Sequence, residues 1–105
     1  MNILITGSNG YIGGRLVRYL SNFKTNTLYL SSTKNIDFFN EQIKSRKIDW
    51  ANTNGILNSC EDIDVVIHLA GMNAYNCSKF PDQARIFNVQ NTISLFESAI
   101  KYKVK

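Results

Sequence analysis

Thr6-Gly7-Ser8-Asn9-Gly10-Tyr11-Ile12-Gly13 is the stretch on which the reading of this chain turns. Before it, Asn2-Ile3-Leu4-Ile5-Thr6 is a short apolar run ended by Gly7, the pattern of a strand buried on both faces of a parallel sheet. After it the period changes. Ile12, Leu16, Val17 and Leu20 recur at three- and four-residue spacing, which predicts one face of a helix over residues 11–22. Within the loop, Gly7 allows a tight turn out of the strand. Gly10 lets backbone N–H groups approach a pyrophosphate with no Cβ in the way, and Gly13 lets the helix pack closely on the sheet. The helix start then offers unsatisfied N–H groups and a positive dipole end to an anion. Three glycines alone only shape a turn; between a buried strand and an amphipathic helix they predict dinucleotide binding through backbone geometry.

Outward from the loop, Thr27-Leu28-Tyr29-Leu30 reads as a second strand, followed by a polar loop over 31–35 and a weaker helical patch in which Phe38, Phe39 and Ile43 could share a side. Lys47-Ile48-Asp49-Trp50 reads as a short third strand, and the Asn/Ser/Gly-rich stretch 52–59 leaves room for one or two helical turns. Val65-Val66-Ile67-His68-Leu69, cut off by Ala70-Gly71, reads as a fourth strand buried on both sides. A final helix is predicted over 82–101. Strands alternating with helices imply right-handed crossovers and a parallel sheet in the order 3-2-1-4, half of a doubly wound α/β fold.

At 105 residues the chain has room for one core, or part of one. A hydrophobic fraction of 44% with five Tyr and six Phe excludes a disordered chain. The net charge of +4 comes from scattered Lys and Arg with no block to track a phosphate backbone, so a nucleic-acid partner is not expected. No segment reaches the roughly 18 uninterrupted apolar residues of a membrane span, and no basic leader precedes the first strand; a cytoplasmic protein is the expectation. Cys60 and Cys77 lack the paired spacing of a zinc or redox site, so no metal is predicted and both thiols read as unpaired.

The Gly-x-x-Gly-x-x-Gly spacing resembles the short-chain dehydrogenases/reductases, and Tyr11-Ile12-Gly13 resembles their extended branch, the epimerases and dehydratases of sugar nucleotides. Asp64-Val65-Val66-Ile67-His68-Leu69-Ala70-Gly71 is similar to that family's fourth strand. Asn88-Val89-Gln90-Asn91-Thr92 with Leu95-Phe96-Glu97-Ser98-Ala99 is similar to the helix that follows it. The resemblance implies a Rossmann-type half-domain over residues 1–105 that binds NAD or NADP and, in a full-length enzyme, supports hydride transfer at a sugar carbon of a nucleotide-sugar substrate. It assigns to the cofactor Gly7, Ser8, Asn9, Gly10, Tyr11, Ile12 and Gly13 of the loop. It adds Asp49, matching an acid that accepts from the adenine amino group, with Trp50 beside it; a solvated loop acid is the alternative for Asp49. Leu69, Ala70 and Gly71 pass over the ribose and nicotinamide side. Asn88 corresponds to an Asn that helps order a helix and a relay water, local capping being its alternative. His68 matches a strand-end His and reads as a structural residue rather than a base.

Two departures stand out. Where an NAD-preferring member places an acid at the end of the second strand, roughly 20 residues past the glycine loop, this chain has Ser31. Ser31 does not repel a 2'-phosphate and Lys34 could meet it, which favours NADP over NAD. The family's Ser/Thr and Tyr-x-x-x-Lys residues follow a fifth strand, and Lys103-Val104-Lys105 is at the threshold of that strand, so no catalytic residue is assigned and the substrate domain is expected to be absent. Tyr75 and Lys79 have the Tyr-x-x-x-Lys spacing but precede Phe80-Pro81 and are expected in a loop. A non-catalytic NAD(P)-binding or sensing protein is therefore the alternative function. On the final helix, Ile86, Val89, Ile93, Phe96 and Ile100 form one apolar face expected to pack on the sheet. Phe87 and Leu95, with Ala84, Ala99 and Tyr102, form a second, expected to face a partner helix or a second copy in a homo-oligomer.

Overall fold

The computed structural model describes residues 1–32 and 40–105. Strands β1 (Asn2–Thr6), β2 (Thr27–Ser32), β3 (Ile43–Lys47) and β4 (Val65–His68) form one sheet in the order β3-β2-β1-β4, and all three pairings are parallel. This is the 3-2-1-4 half of a doubly wound α/β fold. Side chains of β1 alternate between two cores. Ile3 and Ile5 join Leu28 on one face, under Val17 and Leu20 of α1 (Tyr11–Leu20). Leu4 points to the other, among Ile48, Ile56, Cys60, Ile63 and Leu95. That second face is covered by α2 (Thr53–Leu57) and by a continuous helix over 81–101. The long helix runs as α4 (Pro81–Arg85), a π turn (Ile86–Gln90) and α5 (Asn91–Lys101).

The third strand begins four residues before the one expected from the sequence. Within Lys47-Ile48-Asp49-Trp50, Ile48 is fully buried but adds only one rung past β3, its N–H donating to the Ser32 carbonyl at 2.9 Å. The strand itself is Ile43-Lys44-Ser45-Arg46-Lys47, paired on one side with β2. Its position at the sheet edge accounts for the charges, which an edge strand tolerates and a central one does not. Arg46 and Lys44 lie over the Tyr29 ring of β2, 4.9 and 5.7 Å from its centroid. Ile43, expected on a helix with Phe38 and Phe39, instead opens β3; Phe38 and Phe39 lie outside the described residues. Ser31, expected to start a loop, is still in β2.

Tyr75 and Lys79 lie on a helix, α3 (Ala74–Lys79), not in a loop. The signal was Asn73, whose side chain caps the helix by accepting from Asn76 N–H at 2.8 Å. Pro81 does not belong to a loop either: it occupies the first turn of α4, where its missing N–H costs nothing. Past the final helix, Lys105 N–H donates to the Asp64 carbonyl at 3.1 Å, laying a rung beside the start of β4.

The two faces of the final helix are the reverse of those expected. Ala84, Asn91, Leu95 and Ser98 are buried, and Phe87, Ala99 and Tyr102 are partly buried beside them. Ile86, Val89, Ile93, Phe96 and Ile100 are all exposed, Phe96 at 67%. The inward stripe carries what the sheet side needs. Ser98 Oγ accepts the buried Cys60 N–H at 3.1 Å, and Asn91 Nδ2 donates to the Trp50 carbonyl at 3.0 Å. A purely aliphatic stripe would leave both backbone groups unpaired.

Candidate cofactor cleft at the glycine loop

Leaving β1, the chain turns through Gly7 at φ +67°, in the left-handed region, and a Cβ there would lie 2.7–2.8 Å from the Leu69–Ala70 peptide. Only glycine fits both constraints. A Cβ at Gly13 would overlap the Gly7 carbonyl oxygen and lie 2.8 Å from Ser8 Cα, so the first turn of α1 rests directly on the loop. Gly10 differs from both: an added Cβ would meet just the Gly7 oxygen at 3.2 Å and otherwise project into open space. Gly10 is the N-cap of α1 and supplies no side-chain hydrogen bond, and the first turn has no acid. The helix N-terminus is thus presented as backbone donors.

That opening is one end of a cleft of about 250 Å³ lined by Gly7, Ser8, Asn9, Gly10, Ser31, Ser32, Trp50 and Ala70. It lies beyond the carboxyl ends of β1 and β2, where open parallel sheets bind ligands. A broader hollow of about 720 Å³ runs along α1 past Tyr11, Arg15 and Tyr19, but it lacks convergent backbone donors and volume alone does not locate chemistry.

The fold therefore brings together Gly7, Ser8, Asn9, Gly10, Ser31, Trp50 and Ala70 from among the residues expected at the site, and adds Ser32. The others lie elsewhere. Tyr11 and Ile12 are exposed on α1, with Arg15 4.4 Å over the Tyr11 ring. Gly13 is buried beneath the loop. Asp49 is exposed in the turn after β3, its Oδ1 accepting from Ala51 N–H at 3.1 Å. Lys34 lies outside the described residues. Leu69 and Gly71 belong to the loop after β4 rather than the cleft lining. Asn88, in the π turn, holds that loop from behind: its Oδ1 accepts from Met72 N–H at 2.8 Å and its Nδ2 approaches Cys77 Sγ at 3.4 Å. Lys79 Nζ lies over the Tyr75 ring, 5.8 Å from its centroid, the i,i+4 contact their helix provides.

Trp50 forms the inner wall. Its ring lies 5.6 Å from Phe87 and 6.0 Å from His68. Both nitrogens of His68 are engaged, Nδ1 with Thr6 Oγ1 at 2.6 Å and Nε2 with Thr92 Oγ1 at 3.0 Å. Burial holds the imidazole below its ordinary pKa of 6.5. Thr6, Asn91 and Thr92 were not singled out from sequence as site residues. The signal for the last two was available: Asn and Thr in a helix interior compete for backbone groups and need a partner. Among the described residues, no cluster of three metal-ligating side chains occurs and no helix is long and apolar enough to cross a membrane.

Parallel 3-2-1-4 topology with a three-glycine turn at the first strand end defines a dinucleotide-binding half-fold. Residues 3–105 match the model of the NAD dependent epimerase/dehydratase family, and the chain belongs to that family. It is similar in structure to Pen from Bacillus thuringiensis, with a TM-score of 0.84 and 26% identity over 99% of this chain and 35% of that one. L-threonine dehydrogenase from Clostridium difficile matches with a TM-score of 0.78 and 25% identity over 99% of this chain and 34% of that one. MoeE5, solved in complex with UDP-glucuronic acid and NAD, shares the fold, with a TM-score of 0.81 and 22% identity over 100% of this chain and 34% of that one. The chain thus spans about a third of the length of these structures. No curated protein matches it.

Proposed function

We propose that this chain is the NAD(P)-binding N-terminal part of an enzyme that acts on a nucleotide sugar, as an epimerase, dehydratase or reductase. The observation that carries the reading is the open N-terminus of α1: backbone donors without a side-chain cap, facing a cleft into which Gly10 projects no side chain. A pyrophosphate fits there because N–H groups and the helix dipole complement its charge and no Cβ fills its place. When bound, the nicotinamide would accept a hydride from a sugar carbon. The residues of this chain bind and orient: the glycine loop holds the pyrophosphate, Ser31 and Ser32 stand at the ribose end, Trp50 at the adenine end, and Ala70 at the wall leading to the nicotinamide. The complexes of MoeE5 with UDP-glucuronic acid and with UDP-glucose support the substrate class.

Gly10→Val is the decisive variant. Its side chain would project into the cleft, so calorimetry is expected to show NAD(P) affinity falling by at least about tenfold, or 1.4 kcal/mol, with the circular dichroism spectrum retained. Equal affinity in the folded variant would remove the reading.

We further propose that NADP is preferred over NAD. Ser31 offers hydrogen bonds to a ribose or its 2'-phosphate and no negative charge. Ser31→Asp should move the ratio of the two dissociation constants by about tenfold towards NAD, since a carboxylate accepts from the ribose hydroxyls and repels the 2'-phosphate. A preference for NAD in the unaltered chain would contradict it.

A further inference from the structure

The contacts of His68 settle where its proton resides. Thr92 Oγ1 donates to the Asn88 carbonyl at 2.8 Å, which commits its only proton. The 3.0 Å contact with His68 Nε2 is therefore made by an imidazole N–H donating to Thr92. On the other side of the ring, Thr6 Oγ1 accepts from the amides of Leu69 at 3.0 Å and Ala70 at 3.1 Å, and both of its lone pairs are used. Its hydroxyl proton is left for His68 Nδ1, 2.6 Å away. Every donor and acceptor in this chain of bonds is filled by the neutral Nε2–H tautomer and by no other state of the ring.

The chain of bonds joins three parts of the fold. It runs from the loop after β4 through the end of β1 and across β4 to the π turn of the final helix. There Asn88 Oδ1 reaches back to Met72 N–H at 2.8 Å. Residues 69–72 are thus gripped at both ends, by Thr6 and by Asn88, and they press on the glycine loop at the place where Gly7 tolerates no side chain. Ala70 of this segment lines the cleft.

We propose that His68 is a positioning residue: its neutral Nε2–H form holds the 69–72 wall of the cleft in place, and protonation of the ring releases that wall and weakens dinucleotide binding. The effect on binding rests on the cofactor reading above. An added proton on Nδ1 would be a third donor arriving at Thr6 Oγ1. Leu69 N–H also reaches the Thr6 carbonyl at 3.3 Å and keeps that partner, so the amide left without one is that of Ala70. Among the described residues, no Asp or Glu side chain is found around the ring to repay the imidazolium. Around the ring, β1 contributes Thr6, the segment after β3 contributes Trp50, and the final helix contributes Thr92, Leu95 and Phe96. The adjoining cavity ends at Val104 and Lys105. Burial acts in the same direction, holding the ring pKa below 6.5. The sign follows. The unfolded chain takes up the proton first, so the contribution is whole above pH 6.5 and is lost as the pH falls from there through the lower folded value.

His68 is the sole histidine, so long-range ¹H–¹⁵N spectra of the labelled chain report it without ambiguity. Near neutral pH they should show the Nε2–H tautomer, kept in Thr92→Ser and mixed with the Nδ1–H form in Thr92→Val. As the pH is lowered to about 5, the Ala70 amide should shift and exchange faster in step with the imidazole, with a smaller change at Leu69, and NAD(P) affinity by calorimetry should fall about tenfold along the same curve. An imidazolium or Nδ1–H form at neutral pH, or an Ala70 amide that stays protected through the imidazole titration, would overturn the proposal, as would cofactor affinity unchanged through it. If the Ala70 amide is released on schedule but NAD(P) binds at no pH, the positioning role stands and the cofactor reading fails.

Discussion

Helix α1 and the helix over 81–101 cover opposite faces of one sheet by opposite means. α1 sets Gly13 against the glycine loop and lays Val17 and Leu20, both partly buried, on Ile3, Ile5 and Leu28, so its apolar stripe faces the sheet except at Ile12, which is left in water. The long helix turns Ala84, Asn91, Leu95 and Ser98 inward and its most aliphatic stripe outward. The difference lies in what each helix meets. α1 lies on side chains of strands whose backbone is already paired within the sheet. The long helix lies partly on loops, where the Cys60 N–H and the Trp50 carbonyl need partners, and Ser98 and Asn91 supply them. An orphaned buried polar group costs about 1–3 kcal/mol, about what burying one more aliphatic side chain gains, roughly 1.5–3 kcal/mol, so the two pairings together offset the burial of one or two such side chains.

The comparison is tested most severely at adjacent positions of the long helix. Leu95 is 3% exposed within the core of Leu4, Ile48 and Ile56, so Leu95→Ala should lower stability by about 2–5 kcal/mol. Phe96→Ala removes more atoms yet should change it by no more than about 0.5 kcal/mol. Urea unfolding of the two variants decides which stripe is inside; a larger loss at Phe96 would restore the orientation first expected. Next in size is Ser98→Ala, which leaves the Cys60 amide without its acceptor and should cost about 1–3 kcal/mol. A loss well below that would mean that the inward stripe is chosen by shape and not by hydrogen bonding.

How far the molecule was legible in its sequence follows the same division. Where backbone geometry dictates the residue type, a sequence is explicit: a turn at φ +67° pressed against another peptide leaves glycine at position 7, and a helix resting on that turn leaves glycine at 13. Strands β1, β2 and β4 were legible because their runs are apolar; only β1 is buried along nearly its whole length, while β4, expected to be buried on both sides, is half-buried at the sheet edge. β3 was not legible, because an edge strand of Lys, Ser and Arg carries no hydrophobic period. α3 was missed because its only marker is the Asn73 cap. Of the cleft, the glycine loop, Ser31, Trp50 and Ala70 were legible, while Ser32 lay one residue past the expected strand end. The Thr6–His68–Thr92 chain spans residues 24 to 62 apart in sequence, and no local pattern joins them.

The smallest effect on stability is expected on the exposed stripe, where the consequence is association rather than folding. Ile86, Val89, Ile93, Phe96 and Ile100 make a contiguous apolar surface on one helix, of the kind that marks an interaction site on a soluble domain. Expected homo-oligomerisation through the final helix is therefore relocated from Phe87 and Leu95, which pack inward, to this stripe. We propose that the isolated chain self-associates through it. Phe96→Glu should leave the urea midpoint nearly unchanged, since the side chain is already in water, and should shift sedimentation towards monomer because a carboxylate at the centre of an apolar contact loses its hydration without gaining a partner. Leu95→Glu should do the reverse, unfolding the chain before any association is read. A chain that sediments as a monomer at all concentrations, with or without the Phe96 substitution, would show that an outward aliphatic stripe alone does not bring two copies of this helix together.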